Sequence, residues 1–181
     1  KKLFVYASHF AEEFEDSVGL GWEVGSRFFD WPTLIANKDT EIDRLNKIYM
    51  RNLEASGVEI LNGRAVFKDA HTVLVDGREI TANYILVATG ATPFMPHIEG
   101  IEHAISSNEA FHLEGFPSDI TIVGGGYIAV EFAGIFNGLG ADVMLVYRGE
   151  EILRGFDGDI RTHVQEEMIK KGVDVQTEND V

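Results

Sequence analysis

An α/β chain is predicted by three features of the sequence. Residues 120–146 read as strand, glycine turn, helix and second strand. Residues 58–88 carry short apolar runs separated by turn residues, and two stretches near the start carry apolar residues at helical spacing. Strands alternating with helices call for a parallel sheet with helical crossovers, and the short runs for a β-meander.

Taken in order, Lys1 to about Ser17 places Leu3, Tyr6, Phe10 and Phe14 on one helical face, with Glu12, Glu13 and Glu15 toward its end. A loop of glycines and aromatics comes next (Gly19, Gly21, Trp22, Gly25, Phe28, Phe29, Trp31) and runs to Pro32. Thr40 with Asp43 resembles a capping box, so a helix is expected to open there. Its buried face would carry Ile42, Leu45, Ile48, Tyr49 and Leu53, and Gly57 would close it. Strands are expected at 58–61, 65–67, 72–75 and 79–81, with Asp76-Gly77 as a hairpin turn. A fifth, apolar strand is expected at 84–88, ending in Thr89-Gly90. Residues 91–117 hold three of the four prolines and no sustained period. A crossing between two domains is expected there, dividing 1–91 from 92–181.

The second domain opens on the most informative stretch. Ile120–Val123 is a buried-strand run, and Gly124-x-Gly126-x-x-Ala129 comes directly after it. Ile128, Phe132, Ile135, Phe136 and Leu139 then keep a helical period, Gly140 supplies a left-handed cap, and Val143–Val146 is the next strand. Gly124 permits the tight turn, Gly126 allows a diphosphate to approach the backbone, and Ala129 is small enough for the helix to pack on the sheet. The free amides and dipole at the helix start attract the phosphate charge. A glycine match alone is weak; the strand before it and the helix and strand after it make it a dinucleotide-binding signal.

The end of that second strand bears on the choice of nicotinamide cofactor. An acidic residue there would hold a ribose 2′-hydroxyl. The chain instead has Tyr147 and Arg148, with Arg154 further on and Glu150 and Glu151 between. Either the two arginines are solvated loop residues, or their guanidiniums grip a 2′-phosphate by charge-assisted pairing. The second helix, roughly 159–171, carries Ile160, Val164 and Met168, ends at Gly172 and leads to a third strand at 173–175.

Composition excludes several functions. Fifteen Lys and Arg against 30 Asp and Glu leave a formal charge of −15, which disfavours nucleic acid and anionic membranes as partners. No apolar run approaches a membrane span, and no signal-peptide pattern opens the sequence, so the expected setting is the cytoplasm, an organelle being the other possibility. The chain has no cysteine, which removes thiol catalysis, disulfides and thiolate metal sites; its six histidines show no ligand spacing, and no metal site is expected. The sequence enters a helix at residue 1 and stops after a third strand of the nucleotide unit, so an internal fragment of a longer protein is expected.

Several stretches are jointly recognisable. KKLFVYASHF, FDWPTLIANKDTEIDRLNKIY, ILVATGATP, GGGYIAVEFAGIF and YRGEEILRGFD resemble, in order and spacing, segments of the glutathione reductase family of pyridine nucleotide-disulfide oxidoreductases. The resemblance covers essentially the whole chain. It implies the remainder of an FAD domain, helices plus a β-meander, and after it a Rossmann-like NADPH domain. The opening decapeptide is similar to the segment just downstream of the family's redox-active cysteine pair. By the same resemblance, Lys1 looks like the lysine at the reactive edge of the flavin and Glu131 like its ion-pair partner. Ala65, Thr89, Gly90 and Ser107 resemble further FAD contacts, although Ala65 also suits a core strand, and Asn108 stands where the family commonly has Asp. Gly124, Gly125, Gly126, Tyr127, Ile128, Glu131, Arg148 and Arg154 match NADPH-site residues. Tyr127 would cover the flavin or simply pack at a helix start. Tyr49 would contact oxidised glutathione or pack on its own helix. The family's redox cysteines and its His–Glu acid-base pair match nothing in this chain, which alone would be inactive. The implied activity is reduction of glutathione disulfide by NADPH through FAD, in a homodimer. A trypanothione or glutathione amide reductase, or a non-catalytic NADPH-binding module, are the alternatives.

Overall fold

A computed structural model describes residues 1–181. In chain order it contains α1 (Lys2–Asp16), α2 (Trp31–Ala55), β1 (Ala65–Asp69), β2 (Thr72–Val75) and β3 (Arg78–Thr81). After these come β4 (Asp119–Val123), α3 (Tyr127–Gly138), β5 (Asp142–Val146), α4 (Gly158–Lys170) and β6 (Asp174–Gln176). The chain forms two compact units, one of Lys1–Lys38 with Met95–Val181 and one of Asp39–Phe94.

The first unit is built on a parallel sheet of order β4-β5-β6, with Ile122 opposite Leu145 and Leu145 opposite Val175. Helices α3 and α4 are its two crossovers, the α/β arrangement the sequence predicts. The inward stripe of α3, Phe132, Ala133, Ile135 and Phe136, is buried together with Val143 and Leu145 of β5, Met168 of α4 and Val173. Gly140 closes α3 at φ 101°, where Ala141 N–H donates to the Phe136 carbonyl at 2.9 Å. That is the left-handed cap expected from the sequence.

An aromatic layer completes this core. Phe4 meets Trp31 edge-on at 5.5 Å, Phe111 meets Phe132 at 5.0 Å, and Trp31 Nε1 donates to the Leu113 carbonyl at 2.9 Å. A buried indole N–H with its acceptor satisfied adds to packing rather than costing it.

Helix α1 turns a different face inward from the one its large residues suggest. Phe4 and Ser8 are buried, whereas Tyr6, Phe10 and Phe14 are 56%, 53% and 39% exposed. Size decides this: a Cβ at Gly138 of α3 would sit 2.9 Å from Ser8 Cβ, so α1 and α3 cross at two small residues and their backbones come close. Gly138→Ala is therefore expected to cost about 1–2 kcal/mol of stability through overpacking, seen as a lower Tm.

Helix α2 begins at Trp31, well before the capping box at Thr40 that the sequence offers as its start. Asp30 Oδ2 accepts the Thr33 amide at 2.9 Å, and Pro32 occupies the first turn, where its missing N–H costs nothing. Thr40 is therefore a mid-helix residue, and its spacing to Asp43 caps nothing. The face expected to be buried is largely open, with Ile42, Tyr49 and Leu53 at 48%, 60% and 42% exposure.

The second unit holds the antiparallel meander β1-β2-β3. Its hairpin turns at Asp76 and Gly77, with φ of 47° and 84°, the paired left-handed residues of a type I′ turn. The strands expected at 58–61 and 84–88 do not form. An apolar run becomes a strand only when a neighbour completes its ladder, and none does so here; Tyr84 and Leu86 are 94% and 91% exposed.

Candidate functional site

In the first unit, β4 delivers the chain into Gly124, whose φ of 138° excludes ordinary side chains. The Gly124 amide donates to the Val146 carbonyl at 2.8 Å, tying the turn to the end of β5. Gly126 is the extended residue before α3, and the first helical bond runs from the Val130 amide to the Gly126 carbonyl. The amides of Gly126, Tyr127 and Ile128 donate to no group in the chain, and all three residues are exposed. A Cβ placed on Gly126 would meet nothing within 4 Å. Unpartnered donors, a helix dipole and open space fit a diphosphate.

Gly125 has a different role. A Cβ there would lie 2.5–2.7 Å from three ring atoms of Tyr147, and one on Gly149 would lie 2.6 Å from the same ring. The Gly125 carbonyl accepts the Leu153 amide at 2.5 Å. The loop after β5 is thus pressed against the glycine turn at two points. Those points, Tyr147 and Leu153, are the chain neighbours of Arg148 and Arg154. Both arginines are exposed and neither makes an ion pair or hydrogen bond within the chain. Sequence reasoning misses the side chains of Tyr147 and Arg161, which shape this loop; the flanking pair Gly125 and Gly149 is the available sign of a ring between them.

Further contacts hold the loop. Arg161 Nε and Nη2 donate to the carbonyls of Ile152 and Glu151 at 2.8 and 2.9 Å. Gln165 Oε1 accepts the Ile152 amide at 3.2 Å, and Thr162 Oγ1 donates to Glu151 Oε1 at 2.7 Å. Asp157 caps α4 by accepting the Asp159 amide at 3.1 Å.

One turn into α3, Glu131 forms an ion pair with Lys1, whose ammonium also lies 5.5 Å from the centre of the Tyr127 ring. Three residues singled out from the sequence, one at the chain start and two on α3, are thereby brought together beside the free amides. The pair is about one-third exposed, so it offers an oriented charge more than a stability gain.

Ser107 belongs to the same unit and is half-buried in a tight turn. There the Glu109 carboxylate accepts the Ser106 hydroxyl at 2.6 Å and the Ser106 amide at 2.8 Å. Those donors, the hydroxyl foremost, hold the Glu109 carboxyl below its usual range. An open hollow of about 610 Å³ lies next to it, lined by Asn108, Glu109, Phe111, His112, Leu113 and Glu114. Ala65, Thr89, Gly90 and Tyr49 lie in the second unit. All four are exposed, and Gly90 has φ 75°, so the chain turns there as a glycine permits.

The chain is similar to known proteins in sequence and fold. The family model described as pyridine nucleotide-disulphide oxidoreductase matches residues 1–181. A glutathione reductase of Nostoc sp. is 48% identical over 179 residues, covering 99% of this chain and 39% of the relative. The chloroplastic/mitochondrial glutathione reductase of Pisum sativum is 51% identical, covering 98% of the chain and 32% of the relative. A trypanothione reductase of Trypanosoma congolense is 38% identical, covering 98% and 39%. Among solved structures, the HOCl-induced flavoprotein disulfide reductase RclA from Escherichia coli superposes with a TM-score of 0.81 at 26% identity, covering 99% of this chain and 39% of that one. The chain thus spans about two fifths or less of the length of these relatives.

Proposed function

Because the chain belongs to the pyridine nucleotide-disulphide oxidoreductase family, we propose that it is part of an FAD-containing, NADPH-oxidising glutathione-disulfide reductase. The observation that carries this reading is the site itself: free helix amides flanked by a Lys1–Glu131 pair and by two unpaired arginines that Tyr147 and Leu153 anchor to the glycine turn. On this reading residues 1–91 belong to the flavin domain and 92–181 to the NADPH domain, in a cytoplasmic homodimer.

Each residue then has a task. The amides of Gly126, Tyr127 and Ile128 hold the NADPH diphosphate, and Gly124 and Gly125 shape the turn that presents them. Arg148 and Arg154 hold the 2′-phosphate. Lys1, oriented by Glu131, sets a positive charge at the flavin ring, favouring its more anionic reduced form, and Tyr127 covers that ring. Ala65, Thr89, Gly90 and Ser107 line the rest of the flavin, and Tyr49 packs on the glutathione disulfide. When bound, FAD would carry two electrons from NADPH to a disulfide outside this chain; the dithiol so formed would be re-oxidised to that disulfide by exchange with glutathione disulfide, which leaves as two glutathione thiols.

Glutathione is preferred to trypanothione because the two glutathione reductases are 48% and 51% identical to this chain and the trypanothione reductase 38%. The full-length protein should be yellow and oxidise NADPH with glutathione disulfide faster than with trypanothione disulfide. The reverse order would overturn the substrate assignment, and a colourless protein would favour a non-catalytic NADPH module. Lys1→Met should still bind flavin but slow its reduction by NADPH about tenfold in stopped-flow absorbance, the scale of removing one charge-assisted hydrogen bond.

A further inference from the structure

Two arginines beside Glu150 and Glu151, in a chain of net charge −15, make a poor phosphate trap unless the acids are directed elsewhere. Glu151 is so directed. One oxygen accepts the Thr162 hydroxyl at 2.7 Å, and the other lies 3.7 Å from Arg161 Nη2. Arg161 also grips the carbonyls of Glu151 and Ile152, the two residues immediately before Leu153, at 2.9 and 2.8 Å. Leu153 itself has φ 57°, an unfavourable value for a branched apolar residue, and its amide reaches the Gly125 carbonyl. A strained backbone persists where its surroundings over-determine it. Here the surroundings are the forked grip of Arg161, the Gln165 bond to the Ile152 amide and the burial of Leu153.

We infer that Arg161 is a positioning residue for 2′-phosphate selectivity, fixing the 151–153 backbone that sets Arg154 and turning the Glu151 carboxylate toward α4. The inference rests on the NADPH reading above. Arg161 is assigned no contact with the cofactor; it acts through the loop. A planar fork with two parallel donors suits two successive carbonyls, and an ammonium does not reproduce it.

The test uses the full-length protein, with adenosine 2′,5′-bisphosphate and 5′-AMP as probes in titration calorimetry. Arg161→Met should weaken the bisphosphate about tenfold and leave 5′-AMP within about twofold, the scale of one charge-assisted interaction. It should raise KM for NADPH with kcat held. Adding Glu151→Gln to Arg161→Met should recover part of the lost bisphosphate affinity, because the freed carboxylate is then neutral. Arg161→Lys should fall between the wild type and Arg161→Met, and replaces the latter if that variant does not fold. Equal weakening of both probes, or no weakening of either, overturns the role of Arg161. Arg148→Ala serves as the control. If it weakens the bisphosphate while Arg161→Met does not, only Arg161 is misassigned; if neither variant does, the 2′-phosphate reading itself fails.

Discussion

Reversing the charge at Arg148 in the full-length protein (Arg148→Glu) should raise KM for NADPH about 100-fold while leaving KM for NADH within about twofold. The change removes a charge-assisted bidentate pairing and introduces a repulsion, together roughly 2–3 kcal/mol. Selectivity comes from placement: Arg148 sits two residues past the end of β5, where an acidic residue would hold a ribose hydroxyl, and its side chain is exposed and makes no ion pair or hydrogen bond within the chain. A structural defect would damage both cofactors alike, so the ratio of the two KM values is the informative readout. Equal losses for NADPH and NADH would remove Arg148 from phosphate recognition. The same measurement on Arg154→Glu tests whether the two guanidiniums share the load, in which case the double variant should lose less than the sum.

The βαβ unit is legible because every local signal agrees. The strand run, the left-handed Gly124 and Gly140, and the period of α3 all point to one arrangement, and agreement across levels is what makes a sequence readable. Sequence and structure part where burial depends on neighbours outside the local pattern. The runs at 58–61 and 84–88 have strand composition, but strand formation needs a partner, which composition does not supply. The large residues of α1 point to one face, yet Ser8 and Gly138 decide its contact with α3, small residues that carry no weight in a hydrophobic pattern. The start of α2 is hard to place because Thr40 and Asp43 offer a more familiar signature than Asp30 with Pro32. At the site, charges and glycines can be read directly, since their chemistry is local. The Lys1–Glu131 pairing spans the chain and is implied only by resemblance, and the roles of Tyr147 and Arg161 depend on a loop path that no residue pattern announces.

Gly125 offers a sharp test of that loop path. A methyl group on Gly125 would lie 2.5–2.7 Å from the Cγ and Cδ atoms of Tyr147, closer than van der Waals separation, so the ring must move. The ring cannot retreat freely, because on Gly149 a methyl would meet it at 2.6 Å as well. Nor is the strand end free, because the Tyr147 amide donates to the Gln176 carbonyl at 2.8 Å. Gly125→Ala should therefore displace the start of the loop, and Arg148 with it, and strain the Leu153–Gly125 bond that anchors Arg154. Expected results are a stability loss of about 1–3 kcal/mol from overpacking and a rise of roughly 100-fold in the Kd for NADPH. Tyr147→Ala alone removes the ring and should weaken NADPH by less, about tenfold, since the backbone bonds of the loop remain. Combining the two should bind NADPH more tightly than Gly125→Ala alone, because the added methyl then has space; this sign-reversing coupling is what a double-mutant cycle detects. Gly149→Ala, which approaches the same ring, should likewise be relieved by Tyr147→Ala. A Gly125→Ala variant with wild-type affinity, or one that Tyr147→Ala makes worse, would mean that the ring does not set the distance between the diphosphate turn and the arginines.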